Sequence, residues 1–258
     1  MNHLSADGPL SADKTIMSGN SVHIFDDPDA LSSAAADLIE REANAAVAAR
    51  GRFTLVLSGG STPGRLFQHL AARRRDRIPW RSTHLFWSDE RFVPPDHPDS
   101  NFAMAEAKLL PHLHVPSSHI HRIPTELASH EASAIEYEVT LRRCFPYDDA
   151  PSFDLLLLGL GGDGHTASLF PGLIPTGERW VEAVTGPAYR PPPDRVTLTF
   201  NALNGARTIV FLVTGKEKHG ALRAVLDEPE LHPELPAAHI QPQGSLIWLV
   251  DSRAYDGQ

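Results

Sequence analysis

Residues 153–166 read FDLLLLGLGGDGHT. The run Phe153–Leu160 is nearly all apolar and is the clearest strand in the chain. A strand of this kind is covered on both faces, as in a parallel sheet between layers of helices. Outward from it, strand and helix patterns alternate. On the N-terminal side the strands are Val22–Phe25, Phe53–Leu57, His84–Trp87 and a short one near His119–Ile123. Between them, helices are expected after Asp26 or Asp27, from Pro63 to about Arg75, from about Ser100 to Leu110, and from about Glu126 to Arg143. In the first of these, Leu31, Ala35, Leu38, Ile39, Ala46 and Val47 recur at helical spacing, with Pro28 at the start and Gly51 past the end. On the C-terminal side, strands over Arg195–Phe200, Thr208–Thr214 and Leu246–Val250 frame a helix from about Glu217 to Leu226. Residues 186–194, GPAYRPPPD, form a stiff loop. The alternation predicts an α/β fold with a mostly parallel sheet flanked by helices on both faces.

Residues 1–20 are polar and aperiodic and are expected to be a disordered leader to one domain over residues 21–258. The chain of 258 residues has 41% hydrophobic and 21% charged residues, the ordinary globular mixture. That excludes a fibrous repeat, a coiled coil and a disordered protein. Apolar runs such as Ile209–Val213 fall far short of the roughly 20 residues of a membrane span. The first twenty residues have neither the basic nor the apolar region of a signal peptide. A lone cysteine, Cys144, fits a reducing compartment, so a cytoplasmic location is expected. Lys and Arg number 23 against 32 Asp and Glu, a formal net charge of −9. No nucleic-acid partner is expected from that balance, nor any membrane. The basic cluster Arg73-Arg74-Arg75 with Arg77 reads as cations completing a helix C-terminus. An anionic ligand must therefore be held by a local pocket against the overall field.

In open parallel sheets, ligands bind beyond the carboxyl ends of the strands. Four such segments carry chemistry. The loop Ser58-Gly59-Gly60-Ser61-Thr62-Pro63 runs into a helix and suits a phosphate, with Gly59, Gly60, Ser61 and Thr62 as its cradle. It lacks the Gly-Lys-Ser/Thr ending of a Walker loop. A nucleophile elbow at Ser61 is disfavoured, because Pro63 stands where its last glycine belongs. The second segment contains GxGxxG over 159–164, yet Pro171 and Gly172 follow too soon for the long helix of a dinucleotide site. Its Asp163-Gly164-His165 element reads as acid/base chemistry. Histidine titrates near neutral pH, so its neutral form can take a proton from water, and Asp163 can orient the ring or bind a substrate hydroxyl. The third and fourth segments, Asp89-Glu90-Arg91 and Gly215-Lys216-Glu217-Lys218, supply cations, with Arg195 at the start of a further strand. His112, His114, His119 and His121 read as surface histidines. No HExxH or paired cysteines call for a metal.

Together, Leu57–Pro63, Trp87–Arg91, Ser100-Asn101-Phe102, Gly159–Pro171 and Arg195–Thr199 resemble the glucosamine-6-phosphate isomerase/6-phosphogluconolactonase family over about residues 22–252. The resemblance implies a single-domain Rossmann-like α/β fold. It further implies hydrolysis of a sugar-phosphate lactone in the oxidative pentose phosphate pathway, without metal or organic cofactor. By the same likeness His165 is the base that activates water, Arg91 and Lys218 grip the phosphate beside the glycine loop, and Arg195 lies nearby. Asp89-Glu90-Arg91 and Thr166–Phe170 favour the lactonase branch over the deaminases. The short acidic leader has no room for the DNA-binding module of a sugar-phosphate sensor. Arg190 stands where many members have Lys, and His239 where Arg or Ser is common, so their roles stay open. A monomer or weak homo-oligomer is expected.

Overall fold

The structure, a computed structural model, describes residues 14–17, 20–173, 177–188 and 191–258. Strand β1 (Lys14–Met17) turns back antiparallel onto β2 (Asn20–Phe25). This corrects part of the expected leader. A strand at a sheet edge presents unpaired N–H and C=O groups, and residues 14–17 satisfy those of β2 whatever their side chains. Residues 1–13, 18 and 19 lie outside the described residues, as does Arg190.

Helix α1 (Pro28–Arg50) begins where Asp27 accepts from the N–H groups of Asp29 and Ala30 at 2.8 and 2.9 Å, and it ends at Gly51. Leu31, Ala35, Leu38, Ile39 and Ala46 are buried along it, as their spacing predicts. There follow β3 (Phe53–Leu57), α2 (Ser61–Arg73), β4 (Thr83–Trp87), β5 (Asp89–Arg91), α3 (Asn101–Lys108), β6 (Ile120–His121) and α4 (His130–Cys144). The second half holds β7 (Leu155–Gly159), β8 (Val181–Thr185), β9 (Asp194–Leu198), α5 (Phe200–Asn204), β10 (Thr208–Val213), α6 (His219–Asp227), β11 (Ser245–Asp251) and α7 (Ser252–Asp256).

The main sheet has the order β1-β2-β11-β10-β7-β3-β4-β6, and every pair except β1–β2 is parallel. All residues of β3 and β10 are buried, as are the four leucines of β7. Successive residues of a strand face opposite ways, so both faces of the sheet are covered. Asp154, just before β7, fixes the β3–β7 join. Its carboxylate accepts from the Thr54 N–H and hydroxyl at 2.8 and 2.9 Å and pairs with Arg50 at 2.6 Å. From β3 the chain winds outward through β4 and β6, then returns to β7 and winds the other way through β10 and β11. The reversal leaves a crevice beyond the carboxyl ends of β3 and β7, the position where such sheets bind ligands.

A second, antiparallel sheet of order β5-β9-β8 stands at that end, with Asp89 opposite Thr197 and Arg91 opposite Arg195. Here the sequence reading is corrected twice. Residues 89–91 are a strand rather than a loop, and the strand at 194–198 belongs to this small sheet, with Phe200 already helical. Three charged residues carry no apolar alternation, and their partner strand lies about a hundred positions away, so local pattern cannot show the pairing. Helix α4 packs across β8 and β9. No helix among the described residues is long and apolar enough to cross a membrane.

Candidate active site

The crevice is a cavity of about 220 Å³, walled by the segments that follow β3, β4, β7 and β10. On its first side, α2 starts at Gly60 with no side-chain cap. The N–H groups of Ser61 and Thr62 begin the helix, where no preceding carbonyl is in register to accept them, and the positive end of the helix dipole faces the cavity. Gly59 is required by close approach, since a Cβ there would stand 1.9 Å from the Asn101 Oδ1. Thr62 and Thr214 share a hydroxyl hydrogen bond of 2.7 Å, which ties this loop to the end of β10.

Opposite lies the loop after β7. The His165 Nδ1 and Asp163 Oδ1 are 2.5 Å apart. An ionised carboxylate only accepts, so Nδ1 carries the proton and the neutral ring keeps its lone pair on Nε2. The loop is folded tightly under this ring: the Gly161 N–H donates to the His165 carbonyl at 2.8 Å, and the Thr166 hydroxyl donates to the Gly159 carbonyl at 2.9 Å. A Cβ on Gly161 would meet the His165 Nδ1 at 1.9 Å. Ala167 lines the cavity at φ 48, the only non-glycine at positive φ among the described residues. That conformation costs an L-residue about 1–2 kcal/mol, so the surroundings must impose it.

Arg91, Arg195 and Lys218 bring three cations to the same cavity. The Arg91 guanidinium donates to the Asp99 carbonyl at 2.7 Å, while its buried Nε has no hydrogen-bond partner. Among the described residues neither Arg91 nor Lys218 makes a salt bridge, so both charges remain available to an anion. Arg195 is buried over the ring of Phe170, which also packs on His165 with centroids 5.0 Å apart.

The carboxylates of the DER triplet divide in function. Glu90 points away from ligand space and caps α3, accepting from the N–H groups of Arg91, Asn101 and Phe102 at 2.7–2.8 Å and from the Ser100 hydroxyl at 3.0 Å. Burial pushes its carboxyl above the usual range against the pull of those N–H groups. Asp89 lines the cavity and accepts from the Ser168 hydroxyl at 2.6 Å.

The cavity thus unites Gly59, Gly60, Ser61, Thr62, Arg91, His165, Arg195 and Lys218, and Asp163 acts on it through the His165 ring. Sequence reasoning missed Asp89, Asn101, Ala167, Thr214 and Glu217 as lining residues. For Asn101 a clue existed, because it opens a helix after a Ser cap, but its meeting with Gly59 is purely tertiary. His239 is elsewhere: its ring bonds the Pro233 carbonyl at 2.7 Å. His119 and His121, expected at the surface, are instead half-buried against His84, on which both rings stack. Among the described residues no group of three or more His, Cys, Asp or Glu side chains is arranged to hold a metal.

The sequence profile of the glucosamine-6-phosphate isomerases/6-phosphogluconolactonase family matches residues 26–248. The chain belongs to this family. Within it, the chain is 44% identical over 214 residues to a 6-phosphogluconolactonase of Synechocystis sp., covering 81% of this chain and 86% of that one. It is 41% identical to the human 6-phosphogluconolactonase, covering 90% and 92% of the two chains. The crystal structure of the Thermotoga maritima 6-phosphogluconolactonase superposes with a TM-score of 0.79 at 31% identity, covering 90% of this chain and all of that one. The two-layered helical cover and the parallel sheet described above are therefore the family's α/β fold.

Proposed function

We propose that this family member hydrolyses 6-phospho-D-glucono-1,5-lactone to 6-phosphogluconate, the lactone-opening step of the pentose phosphate pathway. The observation that carries the reading is one cavity lined by His165, whose ring Asp163 holds from behind, together with the Gly59–Thr62 cradle, Arg91 and Lys218. The phosphate sits on the α2 N-terminus between the two cations, with Arg195 nearby. The lactone carbonyl then faces His165. Neutral His165 takes a proton from water at Nε2, and the hydroxide adds to the carbonyl carbon. Asp163 stabilises the resulting imidazolium through Nδ1–H. The tetrahedral intermediate expels the ring oxygen, which recovers the proton from His165. General-base help of this kind contributes about 10²–10⁴-fold. Phosphate binding remote from the reacting carbon supplies the positioning. Water is the sole co-reactant, and with His165 as the base every step of this mechanism is carried by the chain's own side chains and backbone.

The test is hydrolysis of freshly prepared lactone, run beside glucosamine 6-phosphate. The expected result is rapid lactone opening with no ammonia release. Ammonia from the amino sugar without lactone opening would assign the chain to the deaminase branch instead. Overnight dialysis against a strong chelator should leave the rate unchanged.

A further inference from the structure

Ser168 is fully buried and does not line the cavity, yet it is gripped from two sides. Its hydroxyl donates to the Asp89 Oδ2 at 2.6 Å, and its N–H donates to the Thr197 Oγ1 at 3.2 Å. Asp89 and Thr197 face each other in the β5–β9 register, so a single rung of the small sheet holds both polar groups of one residue. The Leu169 N–H returns to the Thr166 carbonyl at 2.9 Å, closing a turn over 166–169 that contains Ala167 at φ 48. A left-handed alanine is unfavourable in isolation and persists only where its neighbours fix it. His165 immediately precedes this turn. Asp89 is itself anchored, since its carbonyl accepts from the Asn101 side chain at 2.9 Å.

We propose that Ser168 is a positioning residue for the reaction: its two bonds to the Asp89–Thr197 rung hold the Ala167 turn and thereby aim the His165 imidazole into the cavity. The small sheet then has two tasks: it carries Arg91 to the phosphate, and through Ser168 it holds the general base that the main sheet's β7 loop presents. The proposal rests on the reading of His165 as that base.

Three variants decide it. Ser168→Ala should lower kcat about tenfold or more, as expected for a base displaced from its productive geometry. KM and the affinity for 6-phosphogluconate should stay within about twofold, because the cradle and Lys218 are untouched. His165→Ala should lower kcat about 10²-fold or more. The double variant should be no slower than His165→Ala alone, since a residue that acts through His165 has nothing left to act on. A residue that merely supports the fold would cut the rate again in that background and would weaken product binding. If Ser168→Ala does not fold, Thr197→Val keeps the shape of the rung, removes one of the two ties, and reads the same quantities. Normal kcat in His165→Ala overturns the assignment of the base. Normal kcat in folded Ser168→Ala, or a further rate loss on adding it to His165→Ala, overturns the positioning role and leaves the base in place.

Discussion

At the scale of single residues, two predictions separate chemistry from binding. Gly161 has no room for a methyl group, because a Cβ would lie 1.9 Å from the His165 Nδ1 and 2.5 Å from the Asp163 Oδ1. Gly161→Ala must therefore part the imidazole from its carboxylate. The expected result is a kcat lower by about 10²-fold or more, with product affinity close to that of the parent protein. Stopped assays and product titration on the same preparation check it, and an unaltered kcat would show that the pair is dispensable. Lys218 makes the opposite case. It lines the cavity without a salt bridge among the described residues, so its charge is free for a phosphate. Lys218→Ala should raise KM for the phosphorylated lactone by about tenfold or more, the loss of a charge-assisted contact of about 1.5–3 kcal/mol. Unphosphorylated gluconolactone should be affected far less, and equal losses on both substrates would remove Lys218 from the phosphate site.

At the scale of elements, β4 shows how tertiary contacts finish what a short strand leaves open. Its neighbour β6 pairs only with Leu85 and Phe86, so the backbone of Trp87 outruns it. The buried Tyr137 hydroxyl of α4 fills the gap, accepting from the Trp87 N–H at 2.9 Å and donating to the Trp87 carbonyl at 3.0 Å. Tyr137→Phe leaves both groups buried and unpaired, at a cost of about 1–3 kcal/mol. Thermal unfolding should drop by about 2–12 °C, given about 2–4 °C per kcal/mol at this chain length. No change would mean that water replaces the hydroxyl. The main sheet was legible because its strands are apolar runs punctuated by Gly and Pro, and because parallel strands buried on both faces need little else. The small sheet was not: β5 is Asp-Glu-Arg, which reads as solvated charge, and its pairing is long-range. The site divides the same way. Gly59–Thr62, Arg91, His165 and Lys218 follow strand ends and could be placed from order alone. Ala167 and Ser168 depend on how the small sheet meets the β7 loop, and Asn101 on how the start of α3 meets the β3 loop; no local pattern encodes either.

At the scale of the whole molecule, stability on the acid side should be set by histidines at the far edge of the sheet. His84 stacks on His119 with centroids 3.9 Å apart, and its Nδ1 lies 3.1 Å from the His121 Nε2. Arg52 adds a cation nearby, and Cys144 lies 4.0 Å from the His121 ring nitrogen. Burial, and then the neighbouring His119, His121 and Arg52, lower His84 to about 4, and burial with His119 and Arg52 also lowers His121. Each folded value lies below the ordinary one of about 6.5, so the unfolded chain binds protons that the folded chain refuses. Their contribution is complete above about pH 6.5 and is lost as pH falls toward about 4. Carboxylates held low by partners, such as Glu126 beside Arg122, weaken the fold only further into acid. The raised carboxyl of Glu90 acts in the opposite sense, favouring the fold as it takes up a proton. Melting temperature should therefore fall steadily from about pH 7 to 5, and His84→Gln should fall less steeply over that range. The same variant separates two causes of acid inactivation. Protonation of His165 would slow turnover reversibly in folded enzyme and would be unaffected by His84→Gln, whereas unfolding would be delayed by it. A melting temperature flat across this range in the parent protein, or an identical slope in His84→Gln, would show that the folded cluster takes up protons as readily as the unfolded chain does.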